Sequence, residues 1–158
     1  MKIREAEEKD IEGIIELYRE TVRAVNAKDY NEEQIEIWSA GAENYDNWKK
    51  PISEQYFLVA VIDDIIVGLS SITPVGYLDF MYVHKDFQRR GIAKKLLIEI
   101  ERKAAEQMND EIFSHVSKTA KGFFEKYGYV YSGDDINKFK GVEFMNSIMK
   151  KKLRLIIA

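Results

Sequence analysis

Val83-His84-Lys85-Asp86-Phe87-Gln88-Arg89-Arg90-Gly91-Ile92-Ala93-Lys94-Lys95-Leu96-Leu97 runs from the end of an apolar strand, through a polar turn, into the start of a long helix. The first amides of a helix have no partner within it and point outward. The helix dipole adds partial positive charge at the same end, so this turn is an anion site in prospect. Gly91 lets a phosphate approach the backbone closely, and small Ala93 keeps the next turn clear. Arg89, Arg90, Lys94 and Lys95 surround the turn with positive charge. The local pattern fits an ordinary helix start with solvated basic residues equally well. It matches neither Gly-x-x-x-x-Gly-Lys-Ser/Thr nor Gly-x-Gly-x-x-Gly, which weighs against nucleotide triphosphates and dinucleotides.

Upstream, Tyr77 to Val83 reads as a strand, and so do Tyr56 to Ile62 and Ile65 to Ile72, joined by a turn at Asp63-Asp64. Ile3 to Ala6 is a short first strand. Asp10 reads as an N-cap for a helix carrying Ile11, Ile14, Ile15, Tyr18, Val22 and Val25 at helical spacing. Asn31 with Gln34 forms a capping-box start for a second helix bearing Ile35 and Trp38. Gly41 to Pro51 is polar and reads as loop with a helical turn. Downstream, a helix over Gly91 to Met108 is followed by a strand at Glu111 to Val116 and a short helix at Thr119 to Lys126. A strand at Tyr129 to Ser132 follows, and the last one lies within Gly141 to Leu153. Adjacent strands with short turns pair antiparallel, while the strand–helix–strand unit from Tyr77 to Val116 requires a parallel crossover. The expected fold is α/β (α+β): a mixed, mostly antiparallel twisted sheet with helices on both faces.

The 158 residues suit one domain, 1–158, with no repeat, linker or low-complexity tract. With 46% apolar and 32% charged residues the chain can bury a core and stay soluble. A net charge of −3 argues against a nucleic-acid partner. Lys150-Lys151-Lys152 with Arg154, alternating with Leu153, Leu155, Ile156 and Ile157, reads as a strand end with solvated lysines. The absence of cysteine excludes disulfides, thiolate metal sites and a covalent Cys intermediate. No apolar run reaches the ~20 residues of a membrane span, and the charged start Met1-Lys2-Ile3-Arg4-Glu5 is no signal peptide. A cytoplasmic protein is expected, without a membrane partner, as a monomer or homodimer. His84 and His115 lie on different elements without ligand spacing, so no metal is expected.

Gln88-x-x-Gly91-x-Ala93 resembles the Arg/Gln-x-x-Gly-x-Gly/Ala signature of the GNAT superfamily of N-acetyltransferases. It follows a strand ending Met81-Tyr82-Val83-His84. About thirty residues on comes Ala120-x-x-Phe123-Phe124-Glu125-Lys126-Tyr127-Gly128-Tyr129, similar to that family's helix ending in Glu-Lys-x-Gly-Phe. Gly141 to Leu153 and the Trp38 region resemble a bacterial branch of the family, and the resemblance covers essentially the whole chain.

The resemblance implies a GNAT-like fold and acetyl-CoA as co-substrate. Its pyrophosphate would lie on the turn Gln88, Arg89, Arg90, Gly91, Ile92, Ala93 and Lys94. Its pantetheine would pair with the strand at Met81, Tyr82 and Val83. Transfer would be direct, to a primary amine of a small molecule or peptide, in a ternary complex. An alternative is an acyl-CoA-binding sensor of the same fold without turnover. An alkylamine has a pKa near ~10 and must be neutral to attack, so a general base is useful. Asp79 is the candidate: an ionisable residue within an apolar strand, of the same side-chain parity as Met81 and Val83. A place in a bulge, or a structural hydrogen bond, would account for it equally. Glu143 and His84 are weaker candidates. In many relatives a Tyr four residues before the glycine of Glu-Lys-x-Gly protonates the thiolate. Here that position is Phe124, beside the cofactor but unable to donate, and Tyr127 is the substitute candidate. Ser117 sits where relatives place an Asn near the cofactor, and would equally cap the helix near Thr119. Trp38, Trp48, Tyr30 and Tyr45 fall where the family walls the acceptor side, or pack helices on the sheet.

Overall fold

The computed structural model describes residues 1–153. The chain runs β1 (Lys2–Glu5), α1 (Ile11–Ala24), α2 (Glu32–Gly41), α3 (Asp46–Glu54), β2 (Tyr56–Ile62), β3 (Ile65–Ile72), β4 (Leu78–Val83), α4 (Ile92–Glu106), β5 (Glu111–Val116), α5 (Lys121–Lys126), β6 (Val130–Phe139) and β7 (Val142–Lys152). Single 3-10 turns at Glu8–Asp10, Asn26–Lys28 and Lys85–Phe87 join some of these. Arg154, Leu155, Ile156 and Ile157, expected to prolong the last strand, lie outside the described residues.

The strands form two antiparallel sheets, β1-β2-β3-β4 and β5-β7-β6. The expected antiparallel majority holds, but the expected parallel crossover pair shrinks to one bridge between Tyr77 and Phe113. Two further bonds hold that seam: Phe113 N–H donates to Gly76 O at 3.1 Å, and Ser114 Oγ donates to Leu78 O at 2.7 Å. Beyond it β4 and β5 are not paired.

The β2 run is apolar throughout because both faces are covered. Leu58 and Ala60 join Leu96, Ile100 and Phe124 on one side, while Phe57 and Val59 join Ile11, Ile14 and Trp48 on the other. So α4 and α5 cover one face, α1 and α3 the other. Helix α4 buries Ile92, Leu96, Leu97, Ile100 and Ala104, the stripe its spacing predicts. Its N-terminal end seats against Gly68 of β3, where an added Cβ would lie 2.9 Å from Ile92 Cγ2. A side chain there would push the helix away from the sheet.

Three local expectations are corrected. Gly41 to Pro51 is not a loop with one turn, since α3 occupies Asp46–Glu54 with Pro51 inside it. The bond that Pro51 cannot donate is outweighed by burial of Trp48, whose Nε1 donates to Ala42 O at 3.0 Å. Asp10 does not cap α1; it accepts from Glu7 N–H at 2.8 Å and pairs with Arg4 Nη1 at 2.8 Å. That pair ties β1 to the start of α1 and, by hydrogen bonding to arginine, holds the carboxyl below the usual range. The strand placed at Tyr129 to Ser132 is the ten-residue β6, because it pairs along most of β7. The Asn31–Gln34 capping box forms as expected.

Candidate functional site

A cavity of about 600 Å³ opens where β4 and β5 part. His84 N–H donates to Val67 O on β3. By the alternation of an antiparallel ladder, Phe80 and Tyr82 then bond toward β3, while Met81 and Val83 turn their backbone groups to the free edge. The Val83 carbonyl is already engaged there, by Gln88 Nε2 at 2.6 Å and Thr21 Oγ1 at 3.3 Å. A strand-like ligand would therefore find the Met81 groups and the Val83 N–H.

At one end of this edge, α4 begins. Gly91 has φ +78°, a left-handed conformation that glycine adopts without strain, and nothing lies within 4 Å of the position a Cβ would take. Arg89 is left-handed too, at φ 60°. The first helical bond runs from Lys95 N–H to Gly91 O, so the amides of Ile92, Ala93 and Lys94 have no partner within the helix. Arg90 stacks over the Phe87 ring at 4.9 Å, and Lys94 and Lys95 are exposed. Open space, free amides and basic side chains coincide, which is the composition of an anion cradle. Gln88 and Ala93 line the cavity, whereas Arg89, Arg90, Gly91, Ile92 and Lys94 do not.

At the other side of the cavity stands Asp79. It is the extra residue of a bulge: Ser71 pairs with Phe80 and the next residue, Ile72, pairs with Leu78. The bulge breaks the alternation, so the shared parity with Met81 and Val83 does not hold. Met81 and Val83 pack toward the α4 face, whereas the Asp79 carboxylate accepts from Gln55 Nε2, just past α3, at 2.8 Å. Burial pushes its carboxyl above the usual range, with the Gln55 bond acting in the opposite direction. Tyr82 stacks on Tyr18 at 4.6 Å, and Trp38 Nε1 donates to Tyr18 Oη at 2.7 Å. Trp38 also meets Phe144 of β7 edge-on. These rings make the cavity wall nearest α1 and α2 largely aromatic.

Of the other anticipated residues, Ser117 and Phe124 line the cavity. Ser117 Oγ also accepts from Ala120 N–H at 3.2 Å, so it serves as a cap as well. Phe124 is 1% exposed and presents only carbon. Tyr127 lies outside the lining; it ends α5 and its ring rests on Phe123 at 4.9 Å. Glu143 is exposed on β7, where its carbonyl accepts from Gln34 Nε2. His84 accepts from Asp86 N–H through Nδ1, closing a turn. Trp48 is core, Tyr30 accepts from Lys118 N–H, and Tyr45 is exposed.

Two contributors escape sequence reading. Gln55 reaches Asp79 from 24 residues away. His115 lines the cavity, and its Nδ1 lies 2.6 Å from Asp135 Oδ2. That contact reaches over β7, which separates β5 from β6, and no local spacing announces it. Among the described residues no cluster of three His, Cys, Asp or Glu could hold a metal, and no helix is long and apolar enough to cross a membrane.

Residues 26–153 match the family model described as acetyltransferase (GNAT) domain. The chain is 28% identical over 152 residues to the uncharacterized N-acetyltransferase YafP of Escherichia coli (strain K12), covering 96% of each. Its fold is similar to a GCN5-related N-acetyltransferase structure from Rhodopseudomonas palustris, with TM-score 0.92 and 26% identity over 96% of this chain and 95% of that one. It is also similar to the PaiA N-acetyltransferase of Thermoplasma acidophilum in complex with coenzyme A, with TM-score 0.80 and 24% identity over 96% and 98%.

Proposed function

The chain belongs to the GNAT family of acetyltransferases, and from that premise we propose that it moves the acetyl group of acetyl-CoA directly onto a primary amine of a small molecule or peptide. The observation that carries this reading is the juxtaposition of a sheet parted at β4 and β5 with the free amides that open α4. The amides of Ile92, Ala93 and Lys94, with the Gly91 turn open beside them, suit a pyrophosphate. The Met81 groups and the Val83 N–H suit the amides of a pantetheine arm, and one such N–H polarises a thioester carbonyl in the manner of an oxyanion hole. Ala93 at the helix start and the aromatic wall line one cavity, which supports binding of both reactants together.

Asp79 takes a proton from the incoming amine. Its raised pKa suits that role, because a base nearer neutrality accepts a proton more readily from an ammonium group. The aromatic wall and the carboxylate together favour an amine with an apolar body. Phe124 cannot donate to the departing thiolate, and Tyr127 stands away from the cavity, so water does so. Phe124 also favours a second reading, an acyl-CoA sensor of the same fold without turnover.

The test has two parts. Calorimetry with CoA should show binding, and thiol release from acetyl-CoA with a panel of amines should show turnover. Binding without release for any amine supports the sensor, and absence of CoA binding rejects both readings.

A further inference from the structure

We infer that His115, held by Asp135, is a second proton acceptor in the cavity, which carries to water the proton that the acceptor nitrogen sheds as the amide forms; this rests on the acetyl transfer proposed above. His115 leaves β5 two residues past the bridge that joins the sheets. Its Nδ1 meets Asp135 Oδ2 at 2.6 Å, and Asn137 Nδ2 donates to the same oxygen at 3.0 Å. A carboxylate at Nδ1 makes that nitrogen the donor and leaves the Nε2 lone pair free to accept. Orientation of a base by a third group is the arrangement that activates nucleophiles elsewhere.

The neighbours of the ring are aromatic and acidic. Tyr77, before β4, meets His115 edge-on at 5.5 Å. Asp79 on β4 and Asp135 on β6 both act on the Tyr77 hydroxyl, after burial, in pushing it up to about 12. Asp135 and the edge of the Tyr77 ring flank His115, with Ile148 of β7 opposite it in register.

The reaction needs two proton acceptors. An ammonium substrate must lose two protons to become an amide. The C–N bond forms, the C–S bond breaks, and its electron pair leaves on sulfur. One proton ends on that sulfur and the other goes to water. Asp79 is half-buried against Gln55 and serves the first loss. His115 has 34% of its side chain exposed and can pass a proton outward.

If the pair merely staples β5 to β6, the readouts differ. His115→Asn retains a nitrogen donor for Asp135 but cannot accept the proton. Its turnover should fall by about 10²-fold, with the KM for acetyl-CoA unchanged. Asp135→Asn should lower turnover with the KM for acetyl-CoA unchanged, and Asp135→Glu should restore it, because a carboxylate again orients the imidazole. Near-normal turnover in His115→Asn overturns the inference. Should that variant not fold, near-normal turnover in Asp135→Asn does so. Wild-type protein that releases no thiol with any amine rejects the acetyl-transfer reading itself, and this one with it.

Discussion

Asp79 stands in the cavity wall because β4 carries one residue more than its partner needs at that point. An extra residue re-aims a side chain at little cost in pairing, and here it turns a carboxylate toward Gln55. The consequence is a conflict between stability and chemistry. Burial raises the carboxyl pKa, so between the ordinary value of ~3.9 and the raised one the folded state holds more protons than the unfolded. Stability falls as pH rises through that window and stays reduced above it. Asp79→Asn retains an acceptor for Gln55 and has no charge to desolvate. It should lower turnover by about 10²–10⁴-fold with acetyl-CoA affinity unchanged, while melting at neutral pH no lower than wild type. The gap in melting temperature should close below pH ~4. Near-normal turnover would transfer the role to His115, Glu143 or water, and a large loss of stability would mark the carboxylate as structural. That Asp79 is an ionisable intruder in an apolar strand was legible from sequence. Its direction was not, because strict alternation has no provision for a bulge, and its partner Gln55 lies beyond any local window.

Helix α4 is the element in which sequence and structure agree most closely. Its apolar stripe, glycine start and basic first turn each follow from residues within one or two turns of one another. Local causes of this kind can be read along the chain. Helix α3 could not be read so, since its polar composition and Pro51 oppose helix and only the pocket that receives Trp48 overrules them. His115 and Asp135 are more distant still, meeting only through the pairing of β5 and β6 with β7. At the start of α4 the prediction concerns Gly91. Gly91→Glu forces a side chain into a left-handed position, φ +78°, and sets a negative charge where an anion would lie. CoA affinity measured by calorimetry should fall at least tenfold, about 1.4 kcal/mol. The left-handed strain should itself cost about 1 kcal/mol of stability, which circular dichroism melts would register without loss of fold. Normal CoA binding by the variant would remove the site from this turn.

At the scale of the whole molecule, two antiparallel sheets share one bridge and one cavity. On the transfer proposed above, donor and acceptor would not need to take turns, since Ala93 at the helix start and the aromatic wall line the same cavity. Initial-rate plots at varied acetyl-CoA and amine should intersect. Parallel lines, or an acetylated protein seen by mass spectrometry, would contradict direct transfer. No cysteine is present to carry the group.

The parted edge of β4 has one more implication. Backbone groups that elsewhere in the sheet face a neighbouring strand face, at Met81, the open edge of the cavity. A small molecule with amides along its length can take the place of a strand at that edge. Such a ligand adds to folding free energy by mass action, about 2.7 kcal/mol when present at a hundred times its dissociation constant. For a chain of this size that raises the melting temperature by about 5–10 °C. Differential scanning fluorimetry with rising CoA should trace that climb, and a flat trace would contradict it. Inside a cell, the working half-life of the polypeptide would then follow the supply of acyl donor: starved of it, the protein is both idle and easier to unfold.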